Sequence, residues 1–504
     1  MNKSKLSMIN AIFALIQMGA VSIIGLVIGR SILTYYGSDY NGVNSIVTQL
    51  VNVIMVLEGG FTLASNVALF KPFGEKNIEK INGILSATGK RFNTVSIIAI
   101  IIGTIIAIIF PLCITTQVPY ATCVCLMLTV LLPSCFNLGY SMKYRVVLLA
   151  NQREYVISAI STAFYIVGNC MAIIIIRAGH SILEARIAIM ISLFLSYYMI
   201  GEYCKKKYNF ISFKEKPRFQ EIRGSRNVIA LKITSMLYSS IPIILISTLP
   251  TAGAMLASVY AVYKNVISIV SSCLTSITNA PRLGFGALLA EDNLNAVEKM
   301  FNLYEKITFL GLSIILGTTC LLIMPFIELY TRGVNDVNYH NVLMACIMLA
   351  TIYLEICHIP SGQIIQMSGA FEVSRNIQLI AFIVLIISMT IARWLIGLYG
   401  IIVSILLAAL VLCILEIGYT GVKIFKRNWG KLILNIVPSF IICVITCIIG
   451  FSGRIHCDNY IIFVLEGLVS IIILSCISIV IYYLIDPDSI KKIFGMVKRF
   501  LERK

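Results

Sequence analysis

Charge is scarce in this sequence. Asp, Glu, Lys and Arg together make up 12% of 504 residues, with four histidines and two tryptophans. So thin a supply cannot solvate the surface of a water-soluble protein of this length, and 59% of the residues are apolar. Acidic residues are the rarer sign, 23 against 40 basic ones. No G-x-x-x-x-G-K-[ST] run occurs, which excludes ATP binding through a P-loop. No His, Cys, Asp or Glu group has metal-ligand spacing, so no metal site is expected. The 15 cysteines contain no C-x-x-C pair and read as small apolar side chains within hydrophobic runs. Long polar segments are also missing, which leaves no room for an external catalytic domain.

What is present is a succession of apolar runs, each long enough to cross a bilayer core of about 30 Å, which takes about 20 residues. Fourteen such spans can be drawn, with boundaries good to a few residues. The first six are 7–29, 42–70, 93–115, 119–142, 155–176 and 182–203. The next six are 227–249, 255–280, 303–327, 341–363, 377–396 and 400–421, followed by 432–451 and 460–485. Spans eleven and twelve are joined by almost no loop, so a count of thirteen stays open. The first run is too long for a signal-peptide core and lacks an A-x-A-like exit, so it is expected to remain as a span.

Basic residues separate the two sides. Most of the 40 Lys and Arg lie in the even gaps and at the two ends, including Lys71–Arg91, Lys143–Arg153, Lys205–Arg226 and Lys491–Lys504. The odd gaps hold only Arg30, Arg177, Arg332, Arg393 and Arg454. The positive-inside rule then places both termini in the cytoplasm, as an even span count also requires. The net charge of +17 is mostly this topological signal, and no nucleic-acid partner is expected.

The longest polar stretch, 205–226, divides the chain after span six. Comparing the halves at an offset of about 216 residues aligns Glu75-Lys76-Asn77-Ile78 with Glu291-Asp292-Asn293-Leu294. At a similar offset, Asn151-Gln152-Arg153-Glu154 meets Ser368-Gly369-Ala370-Phe371. The expected architecture is all-α: an N-lobe over 1–204, a basic cytoplasmic linker over 205–226, a C-lobe over 227–421, and two appended spans with a basic tail over 422–504. Repeats of this kind place a binding site between lobes and allow alternating access.

Within this layout the chain carries Ile28-Gly29-Arg30, Tyr36-Gly37, Tyr40-Asn41-Gly42-Val43, Leu57-Glu58-Gly59-Gly60, Gln152-Arg153-Glu154-Tyr155 and Val259-Tyr260. In these residues it resembles the multidrug/oligosaccharidyl-lipid/polysaccharide superfamily, and within it the bacterial polysaccharide and O-antigen repeat-unit flippases. The resemblance implies a V-shaped bundle of two pseudo-symmetric six-helix lobes plus two C-terminal helices. It implies a non-enzymatic flippase in the bacterial cytoplasmic membrane, moving undecaprenyl-diphosphate-linked oligosaccharides for surface polysaccharide assembly. Its partners would be that lipid-linked sugar, membrane lipids, and a polysaccharide polymerase with glycosyltransferases. Two rivals share the architecture, a peptidoglycan lipid II flippase and a cation-coupled multidrug exporter. The exporters typically have twelve spans and an essential acid in span one, where this chain offers only Gln17.

A diphosphate-sugar headgroup needs donors and positive charge along its route, and ionisable residues deep in a span are costly enough to mark such places. Lys264 lies about ten residues into span eight, roughly 15 Å along the helix, beside Tyr260, Tyr263 and Asn265. It is the first candidate for the headgroup, with an ion pair to a carboxylate such as Glu355 as the structural alternative. Lys232 in span seven and Arg30 at the outer end of span one are further candidates, with snorkelling and headgroup anchoring as their alternatives. Glu58, beside two glycines in span two, reads as a coupling-ion site, as the partner of a lumen cation, or as a packed carboxylate. Glu355 and His358 lie one turn apart in span ten, a spacing that suits a proton relay or a helix-packing hydrogen bond. No cofactor is expected beyond an H+ or Na+ coupling ion.

Overall fold

The structure is a computed structural model that describes residues 3–58, 60–222, 226–279, 294–426, 429–453 and 455–502. These are almost entirely helical, with no strand among them. In chain order the helices are α1 (Lys3–Met55), α2 (Phe61–Glu75), α3 (Ile78–Ile109), α4 (Tyr120–Phe136), α5 (Met142–Ala150), α6 (Glu154–Arg177), α7 (Ile182–Lys207), α8 (Arg226–Ser247) and α9 (Gly253–Asn279). They continue as α10 (Leu294–Gly311), α11 (Gly317–Thr331), α12 (Val342–Cys357), α13 (Ile359–Met367), α14 (Phe371–Tyr419), α15 (Trp429–Phe451), α16 (Tyr460–Ile485) and α17 (Pro487–Glu502).

Among the described residues, 11 helical stretches are long and apolar enough to cross a membrane, and Asn435–Phe451 is a shorter apolar helix. The chain is a multi-pass membrane protein. Two of the stretches, Met8–Glu58 at 51 residues and Phe371–Ile424 at 54, are about twice the length one crossing needs. Both are broken inside. α1 leaves helical geometry at Gly37 (φ 85°, ψ 177°), and α14 at Ile396 and Gly397 (φ 58°, ψ −126°). Where the sequence suggests two spans and a loop, the backbone therefore turns at one or two residues.

The helices pack by the rules of an apolar solvent. On α3, Ser96, Ala99, Gly103 and Ala107 are buried, while Ile97, Ile101, Ile105 and Ile108 on another face are exposed. Small residues let helices approach closely where lipid offers no hydrophobic drive, and the isoleucines are left to face lipid. Gly103 is where Leu131 of α4 seats, since a Cβ there would collide with its methyls.

The chain divides into two compact units, Met1–Ala261 with Gly333–Val337, and Val262–Arg332 with Asn338–Lys504. The first has a core of Leu69, Ile81, Ile84, Leu85, Phe92, Val147 and Ile200. The basic stretch after α7 is fastened to this unit as far as residue 222. Asn82 of α3 donates to the Phe210 carbonyl at 3.0 Å and accepts from Ser212 N at 3.0 Å, and Arg218 pairs with Glu79 at 2.5 Å. Residues 223–225 of that stretch, and 289–293 of the repeat comparison, lie outside the described residues. The second unit has a core of Val297, Phe301, Tyr304, Ile364, Ile365 and Ile377.

In the first unit the break at Gly37 is capped from outside the helix. Ser38 N donates to Asp336 Oδ2 at 2.6 Å and Ser38 Oγ to Oδ1 at 2.5 Å, an acid set at a helix N-terminus. Gly37 occupies a backbone region that is essentially closed to residues with a Cβ. Gly37→Ala is expected to cost ~1–3 kcal/mol, read as a lower unfolding temperature of the purified protein. An unchanged midpoint would show that the turn tolerates other geometry.

Candidate functional site

Each unit carries ionisable side chains inside its membrane-spanning helices. In the first, α1 ends in a single turn of tighter helix over Val56–Glu58, and Gly60 (φ 75°) restarts the chain as α2. The Glu58 side chain is thereby turned back toward the start of α2. It accepts from Thr62 N at 3.0 Å and from Lys232 Nζ of α8 at 2.6 Å. Glu58 is buried and Lys232 half-exposed. Lys232 is thus the cation that faces Glu58. Gly59, one of its two adjacent glycines, lies outside the described residues. A second polar tie joins α8 to α1, with Ser240 Oγ donating to Gln49 Oε1 at 3.0 Å.

Lys232→Met would leave Glu58 a buried carboxylate held by one backbone N–H. We expect it to destabilise the protein by roughly 1–3 kcal/mol. Adding Glu58→Gln should recover most of that loss, because the stranded charge is then gone. Thermal unfolding of the two variants checks this; equal losses in the single and the double variant would rule out the pair.

Arg30 is half-buried in α1 ahead of the Gly37 break. Tyr260, in the first unit, is 2% exposed. A charge that the sequence reading passed over lies in α7. Arg186 donates to Asn44 Oδ1 of α1, and its Nε is buried with no hydrogen-bond partner among the described residues.

The second unit gathers the rest. α9 brings Lys264, half-buried, with Asn265 exposed beside it. Tyr263 is fully buried, and its hydroxyl donates to the Tyr339 carbonyl at 2.7 Å while accepting from Asn341 N at 3.1 Å. That hydroxyl is used in fixing α9 to the start of α12. Glu355, in the last turn of α12, acts electrostatically on Lys264.

His358 caps the C-terminus of α12, and Pro360, unable to continue the hydrogen-bond ladder, opens α13 directly behind it. This break aims the imidazole at α14. His358 Nδ1 lies 2.8 Å from Glu416 Oε2, with the side chains 16% and 2% exposed. Gly362, one turn past His358, leaves the space in which the Glu416 carboxylate sits, because a Cβ there would collide with it. Lys264, Glu355, His358 and Glu416 thus follow one another from α9 through α12 to α14, with Glu355 acting electrostatically on both Lys264 and His358. The first three stand out in the sequence; Glu416 does so by the same rule, as a lone acid in an apolar run, and was missed.

Two further features complete the second unit. At the end of α16, Asp486 pairs with Lys306 of α10 and accepts from Ser489 N at 3.2 Å. Burial pushes the Asp486 carboxyl up, but Lys306 and Ser489 outweigh it and hold it at about 2. An apolar groove of about 550 Å³ runs along α15 and α16, lined by Leu321, Pro438, Ile442, Ile445, Leu474 and Ile477 among others. No group of three or more metal-ligating side chains occurs among the described residues.

With the helices and their polar clusters in place, the fold can be identified. It is an all-helical fold shared with the solved structures of a lipid II flippase and of multidrug transporters. The chain is similar to the lipid II flippase MurJ in an inward closed conformation, with a TM-score of 0.64 and 15% identity, over 94% of this chain and 99% of that one. It is also similar to an inward-facing multidrug transporter of the MATE family (TM-score 0.55, 15% identity, 81% of this chain and 95% of that one). The MATE multidrug transporter DinF-BH matches with a TM-score of 0.56 and 16% identity, over 84% of this chain and 97% of that one. No protein-family model matches the sequence. No curated protein matches it either.

Proposed function

We propose that this protein is a flippase that carries undecaprenyl-diphosphate-linked oligosaccharides across the bacterial cytoplasmic membrane for surface polysaccharide assembly. The observation that favours a lipid-linked substrate over a multidrug one is the extent of the fold match. The lipid II flippase aligns over 94% of the chain, against 81% and 84% for the two multidrug transporters.

In this reading the membrane is crossed fourteen times, with Gly37 and Gly397 marking the turns inside the two double-length stretches. Both termini are cytoplasmic, and the protein works by alternating access. Lys264 supplies positive charge for the diphosphate. Asn265, Arg30 and Lys232 are secondary candidates for contacts to the headgroup. The isoprenoid tail stays in the bilayer, and the groove along α15 and α16 offers it an apolar bed. Glu58, with Lys232 already on it, is the weaker coupling-ion candidate; Glu355 and His358 are the stronger.

Depleting the protein in its host separates this reading from its rivals. We expect lipid-linked oligosaccharide to accumulate and the surface glycan to disappear while peptidoglycan synthesis continues. Arrest of peptidoglycan synthesis with accumulation of lipid II would select the lipid II reading. Sensitisation to cationic dyes with an intact surface glycan would select the multidrug one.

A further inference from the structure

We propose that the buried His358–Glu416 pair is a proton-binding site whose occupancy sets the net charge of the cluster it forms with Glu355 and Lys264. The coupling role rests on the transport reading above, whereas the site itself rests on the geometry of the second unit.

The pair is placed by three elements. His358 stands at the α12–α13 break, Glu416 projects from α14, and Gly362 of α13 leaves the space that a Cβ would take from the carboxylate. The titratable groups around it are few. Glu355 on α12 acts on His358, and Cys413 on α14 lies near Glu416. Tyr353 and Cys357, also on α12, lie beside one another, and the Tyr353 hydroxyl shares a hydrogen bond with Ser439 of α15 at 2.7 Å. The rest of α13, Ile359–Met367, has no ionisable side chain. Lys264 of α9 reaches the cluster through Glu355.

Charge balance gives the pair its function. With His358 protonated, two cations face two carboxylates and the cluster is neutral. Loss of one proton leaves it at −1 in a part of the protein where unbalanced charge is costly. Imidazole is the side chain that makes this change near neutral pH. With Glu416 ionised, Nδ1–H donates to its carboxylate and the proton lost on titration is the one on Nε2. When it leaves, Lys264 is drawn to the excess carboxylate. When it is bound, the Lys264 charge is available to an anionic headgroup. Proton and headgroup binding therefore strengthen each other, by the same factor in each direction.

The test uses the full-length protein in nanodiscs. His180, His340 and His456 are all more than half exposed, with side-chain exposures of 57%, 53% and 71%. Changing these three to Asn leaves His358 the sole histidine without disturbing the pair. We expect infrared titration of this variant to show one imidazole protonation step, accompanied by a carboxylate change from Glu416. Adding Glu416→Gln should remove the carboxylate signal and weaken proton binding roughly tenfold, and Glu416→Asp should restore part of it. In proteoliposomes, His358→Gln should flatten the pH profile of lipid-linked oligosaccharide flipping. The absence of an imidazole step in the three-Asn variant between about pH 5 and 8, or a His358→Gln protein with the parent's pH profile, overturns the proposal. If no lipid-linked oligosaccharide is flipped at any pH while the imidazole step is present, the transport reading fails and the proton site stands.

Discussion

Lys264→Ala is expected to abolish flipping of a fluorescent lipid-linked oligosaccharide in proteoliposomes, with the rate falling ~100-fold, about 2.7 kcal/mol of lost stabilisation. The reason lies in what a diphosphate leaves behind. Its charges give up water on entering an apolar bundle and need a cation placed in advance. Lys264 lies well inside α9, half-buried, with Glu355 acting on it as a built-in counter-charge. A headgroup phosphate can take the place of that carboxylate, so the ammonium is balanced whether or not substrate is bound. Lys264→Arg keeps the charge and should retain most of the rate. Unchanged flipping by Lys264→Ala at normal protein levels would remove Lys264 from the pathway. Glu355→Gln makes a second check: it should leave the rate measurable and raise the affinity for substrate, since the competing carboxylate is gone.

Gly362→Val carries the largest expected loss of stability. Any side chain at this position runs into the Glu416 carboxylate. Glu416 is 1% exposed and tied to His358, so it has no solvent-facing rotamer to retreat to. Overpacking costs ~1–3 kcal/mol, and stranding a buried charge adds to it. We therefore expect Gly362→Val to lower stability by about 3 kcal/mol or more. The source of the loss can be tested directly. Glu416→Ala vacates the space, so Gly362→Val combined with Glu416→Ala should be destabilised by less than the sum of the two single variants. Strict additivity in thermal unfolding would place the clash elsewhere.

Much of this was legible in the sequence, and the limits have physical causes. Hydropathy and length locate the spans because a bilayer accepts little else, and the charges that interrupt them draw attention for the same reason. That logic finds Lys264, Glu355, His358, Glu58 and Lys232. It sets Glu355 beside Lys264 and His358, but it does not pair Glu58 with Lys232 or His358 with Glu416. Glu58 and Lys232 are far apart in the chain and meet because Gly60 turns the residues after α1 back toward α8, which no local pattern announces. Glu416 and Arg186 obey the rule that flags the others, yet each sits near the end of its apolar run, where a polar residue reads as a boundary. Tyr263 shows the opposite error. Its hydroxyl suits a sugar, but it is spent on Tyr339 and Asn341 in packing α9. The turn at Gly37 is visible only as a glycine among polar residues; the acid that caps it, Asp336, lies in a remote loop.

The central claim is that this fold serves to move a diphosphate-linked sugar from one leaflet to the other. Its most direct test is reconstitution of the purified protein in liposomes that carry a labelled undecaprenyl-diphosphate oligosaccharide in both leaflets. A membrane-impermeant sugar-modifying reagent is then added outside. Protein-free vesicles should lose about half of the label, and vesicles with the protein nearly all of it, with the gain removed by Lys264→Ala. Labelling that stays at half with the folded wild-type protein, under every pH and ion gradient applied, would contradict the account.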